Sequence, residues 1–105
     1  MSGYGLHPEA RADLEEIWAF IRADSLAAAD AVVGEILAAI RGLVPFPAQG
    51  HRRPDLTARP LRFIVVREYL VAYASDKRPL WVVAICHGRR NPRVLAAILR
   101  GRDEA

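Results

Sequence analysis

Residues 61–90, LRFIVVREYLVAYASDKRPLWVVAICHGRR, constrain the fold more than any other stretch, because they read as three antiparallel strands ending in a basic cluster. Leu61, Phe63 and Val65 alternate with Arg62, Ile64 and Val66 in a run rich in β-branched and aromatic residues, which suits a pleated, half-buried strand. Arg67-Glu68 interrupts the pattern and Tyr69 to Ser75 resumes it, predicting a short hairpin and a second strand folded back on the first. Asp76-Lys77-Arg78-Pro79 predicts a turn, since Asp bonds nearby backbone and Pro cannot donate to a ladder. Leu80 to Cys86 is almost continuously apolar and is expected as a central strand buried on both faces. His87-Gly88-Arg89-Arg90 then gathers positive charge at the strand end and is the first candidate for function.

The residues before this run read as cover for one face of the sheet. Tyr4 and Leu6 alternate ahead of a proline and predict a short edge strand over Gly3–Leu6. His7-Pro8-Glu9 opens a helix, because Pro at the first helical position forfeits no needed hydrogen bond and the acids Glu9, Asp13, Glu15 and Glu16 suit the positive end of the dipole. Ala10, Leu14, Ile17 and Ile21 form its apolar stripe, with Trp18 at the margin, and the helix is expected to run from Pro8 to about Ala23. Asp24-Ser25 supplies capping oxygens for a second helix, Leu26 to Arg41, with the stripe Ala29, Val32, Val33, Ile36, Ile40 and Leu43. So short a connection makes the two an antiparallel hairpin, ended by Gly42, Pro45 and Pro47. Phe46 to Pro60 reads as an ordered loop anchored by Leu56 and carrying His51, Arg52, Arg53 and Arg59. After the sheet, Asn91 caps and Pro92 opens a last short helix around Leu95 to Arg100, followed by Gly101 and a polar tail.

A chain of 105 residues is expected as one domain over residues 1–105, with a core that needs neither disulfides nor a structural metal. The single cysteine, Cys86, sits in an apolar strand and reads as a buried thiol. No leader pattern precedes the first strand and no apolar run approaches the roughly 20 residues of a membrane helix, so a cytoplasmic protein is expected. The net charge of +3 hides an asymmetry: residues 1–50 hold three Arg against seven acids, a balance of −4, whereas residues 51–105 hold twelve cations against five acids, a balance of +7. A positive sheet half attracts nucleic acid or an acidic protein partner. Fourteen of the fifteen cations are Arg, whose planar fork suits phosphate and carboxylate, although a general bias toward Arg explains the count equally well.

Metal chemistry is not expected, since His7, His51 and His87 lie far apart with no paired cysteine. A Ser-His-Asp hydrolase lacks its Gly-flanked nucleophile turn. Metal-free RNA cleavage needs only a base, an acid and cations for the oxyanion, and part of that set is present. His87 can serve as base or acid, Arg62, Arg89 and Arg90 can hold phosphate, and Glu68, Tyr69 or Tyr73 can assist if they share a face. The blander alternatives are a strand-end His87 bonding backbone and an Arg62 paired with an acid. The aromatic residues are most simply core and rim, with Trp81 the one whose exposure matters.

The order of these elements, with Tyr4-Gly5-Leu6-His7-Pro8-Glu9-Ala10, Asp13-Leu14-Glu15-Glu16-Ile17-Trp18, Gly50, Arg53-Pro54-Asp55-Leu56, the Arg62 strand, Tyr69-Leu70-Val71-Ala72-Tyr73 and His87-Gly88-Arg89-Arg90, resembles the RelE/ParE superfamily of type II toxin-antitoxin toxins over nearly the whole chain. The resemblance implies an α+β fold of order β-α-α-β-β-β-α, no cofactor, and a hetero-oligomer with a cognate antitoxin whose acidic, partly helical C-terminal segment wraps the toxin. It leaves two targets: RelE-like members cut messenger RNA in the ribosome, whereas ParE-like members poison DNA gyrase. Residues 91–105 contain no Tyr, His or Phe, and Lys77 is the one lysine, so the likeness is nearer to the non-enzymatic ParE branch. On that reading no catalytic residue is expected, and His87, Arg62 and Arg89 become catalytic only in the ribonuclease alternative. Arg62, Arg67, Arg89 and Arg90 are expected on an exposed side of the sheet that, with a groove beside the first helices, receives the antitoxin. Arg52, Arg53, Trp81 and Arg93, in the basic loop, the sheet and the C-terminal region, are the expected target contacts.

Overall fold

In a computed structural model, which describes residues 3–102, the elements follow the order β-α-α-β-β-β-α. They are β1 (Tyr4–Leu6), α1 (Pro8–Arg22), α2 (Leu26–Leu43), β2 (Leu61–Val66), β3 (Tyr69–Ala74), β4 (Leu80–His87) and α3 (Pro92–Gly101), with a single 3-10 turn at Pro47–Gln49. The sheet order is β1-β4-β3-β2, with β1 parallel to β4 and the other pairs antiparallel. β4 is central and buried, as its apolar run requires.

Local chemistry sets the helix ends. The His7 ring accepts from the Glu9 amide through Nδ1 at 3.0 Å, Pro8 begins α1, and the Ser25 hydroxyl accepts from the Ala28 amide at 3.1 Å to start α2. His7 is itself buried, with its amide bonded to the Val82 carbonyl at 2.8 Å and its ring edge-on to Trp81. α2 continues two residues past Arg41, through Gly42, because Leu43 completes the apolar stripe at one more turn and is buried. Burial of that side chain outweighs the poor helix propensity of a single glycine.

Two cores flank the sheet. One joins Leu14 of α1 and Val32, Ile36 and Ile40 of α2 to Val71, Tyr73 and Val82 of the strands. The other joins Leu95 and Leu99 of α3 and the loop anchor Leu56 to Phe63, Leu70 and Val83. The sheet therefore has no open side of the kind expected for antitoxin binding, since α3 and Leu56 cover the face opposite the hairpin. That cover stops short of the β2–β3 turn, and Val65, in register with the buried Leu61 and Phe63, is 71% exposed.

β4 outruns its neighbour. β1 pairs only with Leu80–Val82, and the Ala72/Tyr73 register shift places a bulge at Val83. The groups left over are met by a side-chain pair: Asp13 Oδ2 accepts from the Ile85 amide at 2.9 Å, and Arg102 Nη1 donates to the Val83 carbonyl at 3.3 Å. Asp13 and Arg102 bond each other through both oxygens, Nη2 to Oδ1 at 2.9 Å, with both side chains nearly buried. The Arg102 pKa is raised, first by this hydrogen bond and against the burial that opposes it. Arg59 Nη1 then binds the Leu99 and Arg102 carbonyls at 3.0 and 2.9 Å, so the start of the expected polar tail is fixed at Arg102, while residues 103–105 lie outside the described residues.

Removing Arg102 leaves a carboxylate almost out of water with one amide for company. Arg102→Ala is expected to cost about 3 kcal/mol in urea unfolding, and Asp13→Asn less, since the amide oxygen still accepts from Ile85.

Candidate partner and target surfaces

Loop 46–60 is held by an arrangement that uses two of the residues considered for catalysis. Tyr73 Oη donates to the Pro47 carbonyl at 2.6 Å and accepts from the Gly50 amide at 2.9 Å. A Cβ at Gly50 would lie 2.6 Å from that oxygen and 2.9 Å from the Phe63 carbonyl, so close approach, not backbone angle, requires glycine. Burial raises the Tyr73 pKa, with the Gly50 hydrogen bond and Arg62 acting in the opposite sense. Arg62, opposite Tyr73 in the ladder, donates to the Gly50 carbonyl at 2.8 Å and more weakly to Ala48. His51 exchanges both backbone bonds with Phe63, which carries the loop along the β2 edge. Arg52 then projects exposed, while Arg53 makes a bidentate pair with Asp55 at 3.0 and 2.8 Å.

The second basic region lies at the other end of the sheet. His87 Nδ1 accepts from the Arg89 amide at 3.2 Å, Nε2 faces the Glu68 carboxylate at 3.4 Å, and the ring meets Tyr69 edge-on. The Gly88 amide donates to the Glu68 carbonyl at 2.8 Å, so the HGRR turn and the β2–β3 turn brace each other. Arg89 and Arg90 are exposed, and no side-chain partner holds them among the described residues. Arg93 is exposed close by on the first turn of α3. Arg67 occupies the left-handed region at φ 56°, the first position of a two-residue hairpin, and its guanidinium grips Glu35 of α2 through two hydrogen bonds.

The expected site residues therefore divide. His87 faces Tyr69 and Arg62 faces Tyr73, four residues along β3, a separation of about 13 Å before the two strand spacings are counted. His87, Arg62 and Arg89 are not gathered around one point. Arg89, Arg90 and Arg93 share one end, Arg52 and Arg53 flank the β2 edge, and Trp81 lies at the start of β4, far from HGRR. Trp81 is partly buried, covering Gly5, where a Cβ would meet its ring at 2.7 Å. The functions of Asp13, Arg102 and Tyr73 carried no sequence signal, because their partners lie 89, 72 or 23–26 positions away. The left-handed Arg67 did carry one, since a two-residue connection between paired strands demands it.

Burial pushes the Cys86 thiol pKa up, consistent with an unreactive core cysteine. Among the described residues no group of His, Cys, Asp and Glu is arranged to hold a metal, and no helix is long and apolar enough to cross a membrane. An open groove of about 390 Å³ runs beside the first helices, between Tyr4, Leu6, Arg11, Leu14, Glu15 and Leu37.

Two outcomes test these braces. Tyr73→Phe removes a donor and an acceptor from buried backbone partners and is expected to cost about 2 kcal/mol, with faster amide exchange confined to the loop at Gly50. The Arg67 hydrogen bonds hold the Glu35 carboxyl below its ordinary value of 4.5. Because the folded value is the lower one, the pair contributes fully above that ordinary value and fades as pH falls through the folded one. Thermal midpoints of the parent and Glu35→Gln are therefore expected to differ near neutrality and to converge in acid.

No curated protein matches the chain. The family described as ParE toxin of type II toxin-antitoxin system, parDE, matches residues 4–92, which span β1 through the HGRR turn to the opening of α3. With so much of its length matched and the element order that the likeness implied, the chain belongs to the ParE toxin family of type II toxin-antitoxin systems.

Proposed function

We propose that this toxin inhibits DNA gyrase without catalysing a reaction of its own, and that a cognate antitoxin with an acidic, partly helical C-terminal segment neutralises it. Family membership implies the antitoxin partner and makes gyrase the first target to consider. The observation that favours this reading over RNA cleavage is the commitment of the residues cleavage would use. Arg62 is tied through Nη1 to loop carbonyls, His87 Nδ1 accepts from the Arg89 amide while Nε2 lies 3.4 Å from Glu68, and the two stand far apart across β3.

On this reading the antitoxin meets the HGRR end and the groove beside α1, α2 and β1. The exposed guanidinium groups of Arg89 and Arg90 can each take a carboxylate in bidentate fashion, while an amphipathic helix sets its apolar stripe against Leu6, Leu14 and Leu37. Arg62 and Arg67 belong to this surface as supports, one bracing the loop and the other the hairpin turn against α2. The target contacts are Arg52 and Arg53 on the braced loop, Trp81, and Arg93 on α3.

Induction of the chain alone in bacteria, with labelled thymidine and labelled amino acid followed over the first minutes, tests the target. Thymidine incorporation is expected to fall first, with induction of the DNA damage response. Collapse of amino-acid incorporation ahead of it would overturn the gyrase reading in favour of a ribosome-dependent ribonuclease. For the antitoxin, Arg89→Glu with Arg90→Glu is expected to weaken binding about tenfold or more at moderate salt, mainly through slower association. An unchanged affinity removes both residues from the interface.

A further inference from the structure

At the end of the sheet away from HGRR, the register sets Leu61, Ala74, Trp81 and Gly5 in one row across all four strands. Large and small side chains alternate along this row, so Ala74 leaves a depression between Leu61 and the indole of Trp81. Pro60 and Arg59 wall it on the β2 side and the Asp76–Pro79 turn on the other, giving an open cavity of about 400 Å³. That is within the roughly 300–1,000 Å³ of small-molecule sites. Its floor is apolar and its rim is cationic. Arg59 and Arg78 are each held through a single guanidinium nitrogen, Arg59 to the carbonyls at Leu99 and Arg102 and Arg78 to those of Ser75 and Lys77. Their other N–H groups have no partner among the described residues, and neither does the ammonium of Lys77. The HGRR arginines and the loop residues Arg52 and Arg53 play no part here.

We propose that this cavity is a binding site for a nucleoside phosphate, with the base against Trp81 and the phosphate on the Arg59, Lys77 and Arg78 rim. Each element answers one part of that ligand. An aromatic side chain beside an apolar floor accepts the face of a base whatever its identity, and a rim of cations takes the phosphate. Asp76, the one acid in the lining, weakens the site for inorganic phosphate but accepts from a ribose hydroxyl or an exocyclic amine, so the whole nucleotide is preferred over its anion. The same chemistry is met in a free nucleotide and at a strand end. The site shares Trp81 with the proposed target surface, but its ligand does not depend on which target is correct.

Trp18→Phe leaves Trp81 as the one indole, and its emission reports the cavity directly. With the full chain at low salt, deoxyadenosine monophosphate is expected to change that emission saturably, whereas inorganic phosphate competes only weakly and causes no comparable change. Lys77→Glu, at an exposed residue whose ammonium has no partner among the described residues, is expected to weaken nucleotide binding about tenfold while circular dichroism stays unchanged. A short oligothymidylate binding more tightly than the mononucleotide identifies a strand as the source, and equal or weaker binding identifies the free nucleotide. No saturable response to either overturns the proposal, as does a response that Lys77→Glu leaves intact. Binding of an acidic peptide with no response to nucleotides overturns it too, in favour of a peptide site. Each result is read without gyrase, so failure here leaves the target assignment standing, and failure of gyrase inhibition leaves this site standing.

Discussion

The structure depends on completing the unpaired side of β4. A central strand must satisfy hydrogen-bonding groups along both edges, yet β1 is three residues long and reaches only Val82. Beyond it the Val83 carbonyl faces a guanidinium and the Ile85 amide faces a carboxylate where another strand would have stood. Asp13 arrives from the second turn of α1 and Arg102 from the end of α3, and each neutralises the other in a place where neither alone could be buried. One ion pair thus joins the first helix, the middle strand and the last helix. It lies across the sheet from the hairpin turn that Arg67 and Glu35 fasten to α2. The same guanidinium approaches Glu9 at 3.9 Å, and Arg59 collects the carbonyls at the end of α3, so both ends of the described chain are tied to one part of the sheet.

This economy decides which arginines remain available. Arg53, Arg59, Arg62, Arg67, Arg78 and Arg102 all hold parts of the chain together, wholly or through one nitrogen. Those left exposed at the HGRR turn and on the loop are displayed by braced backbone: the Gly88–Glu68 bond steadies one and the Tyr73–Arg62 clasp steadies the other. A surface already ordered loses less entropy when a partner arrives, so these braces lower the cost of docking at either place. The positive half of the charge asymmetry is therefore two things at once, an internal fastening and a presented surface.

Much of the fold was legible in residues 3–102. The 3.6-residue stripes of α1 and α2 placed Ala10, Leu14, Val32, Ile36 and Ile40 in the core, the continuous apolar run of β4 placed it centrally, and the single apolar side chain in the middle of the basic loop, Leu56, anchored it. These readings hold because burial of apolar area imposes a period on the chain itself, and a period is visible without knowing what lies opposite. The charged residues were harder. Asp13 looked like a dipole acid, Arg102 like tail, and Arg62 like a phosphate ligand, because a charge announces only that it needs a partner.

What the sequence determined by itself was the element order, the two helical stripes, the buried central strand and the family, each encoded in neighbouring residues or in their spacing. Only the tertiary structure decided that α3 and Leu56 close the second face, that Val65 escapes cover, and that His87 and Arg62 stand at opposite ends of β3. It alone showed the cavity between Leu61 and Trp81, which exists because β2, β3 and β4 bring one residue each into a row. The physical reason is range. Apolar patterning acts through local geometry repeated along the chain, whereas ion pairs, braces and cavities are made by residues that meet only after the sheet has closed.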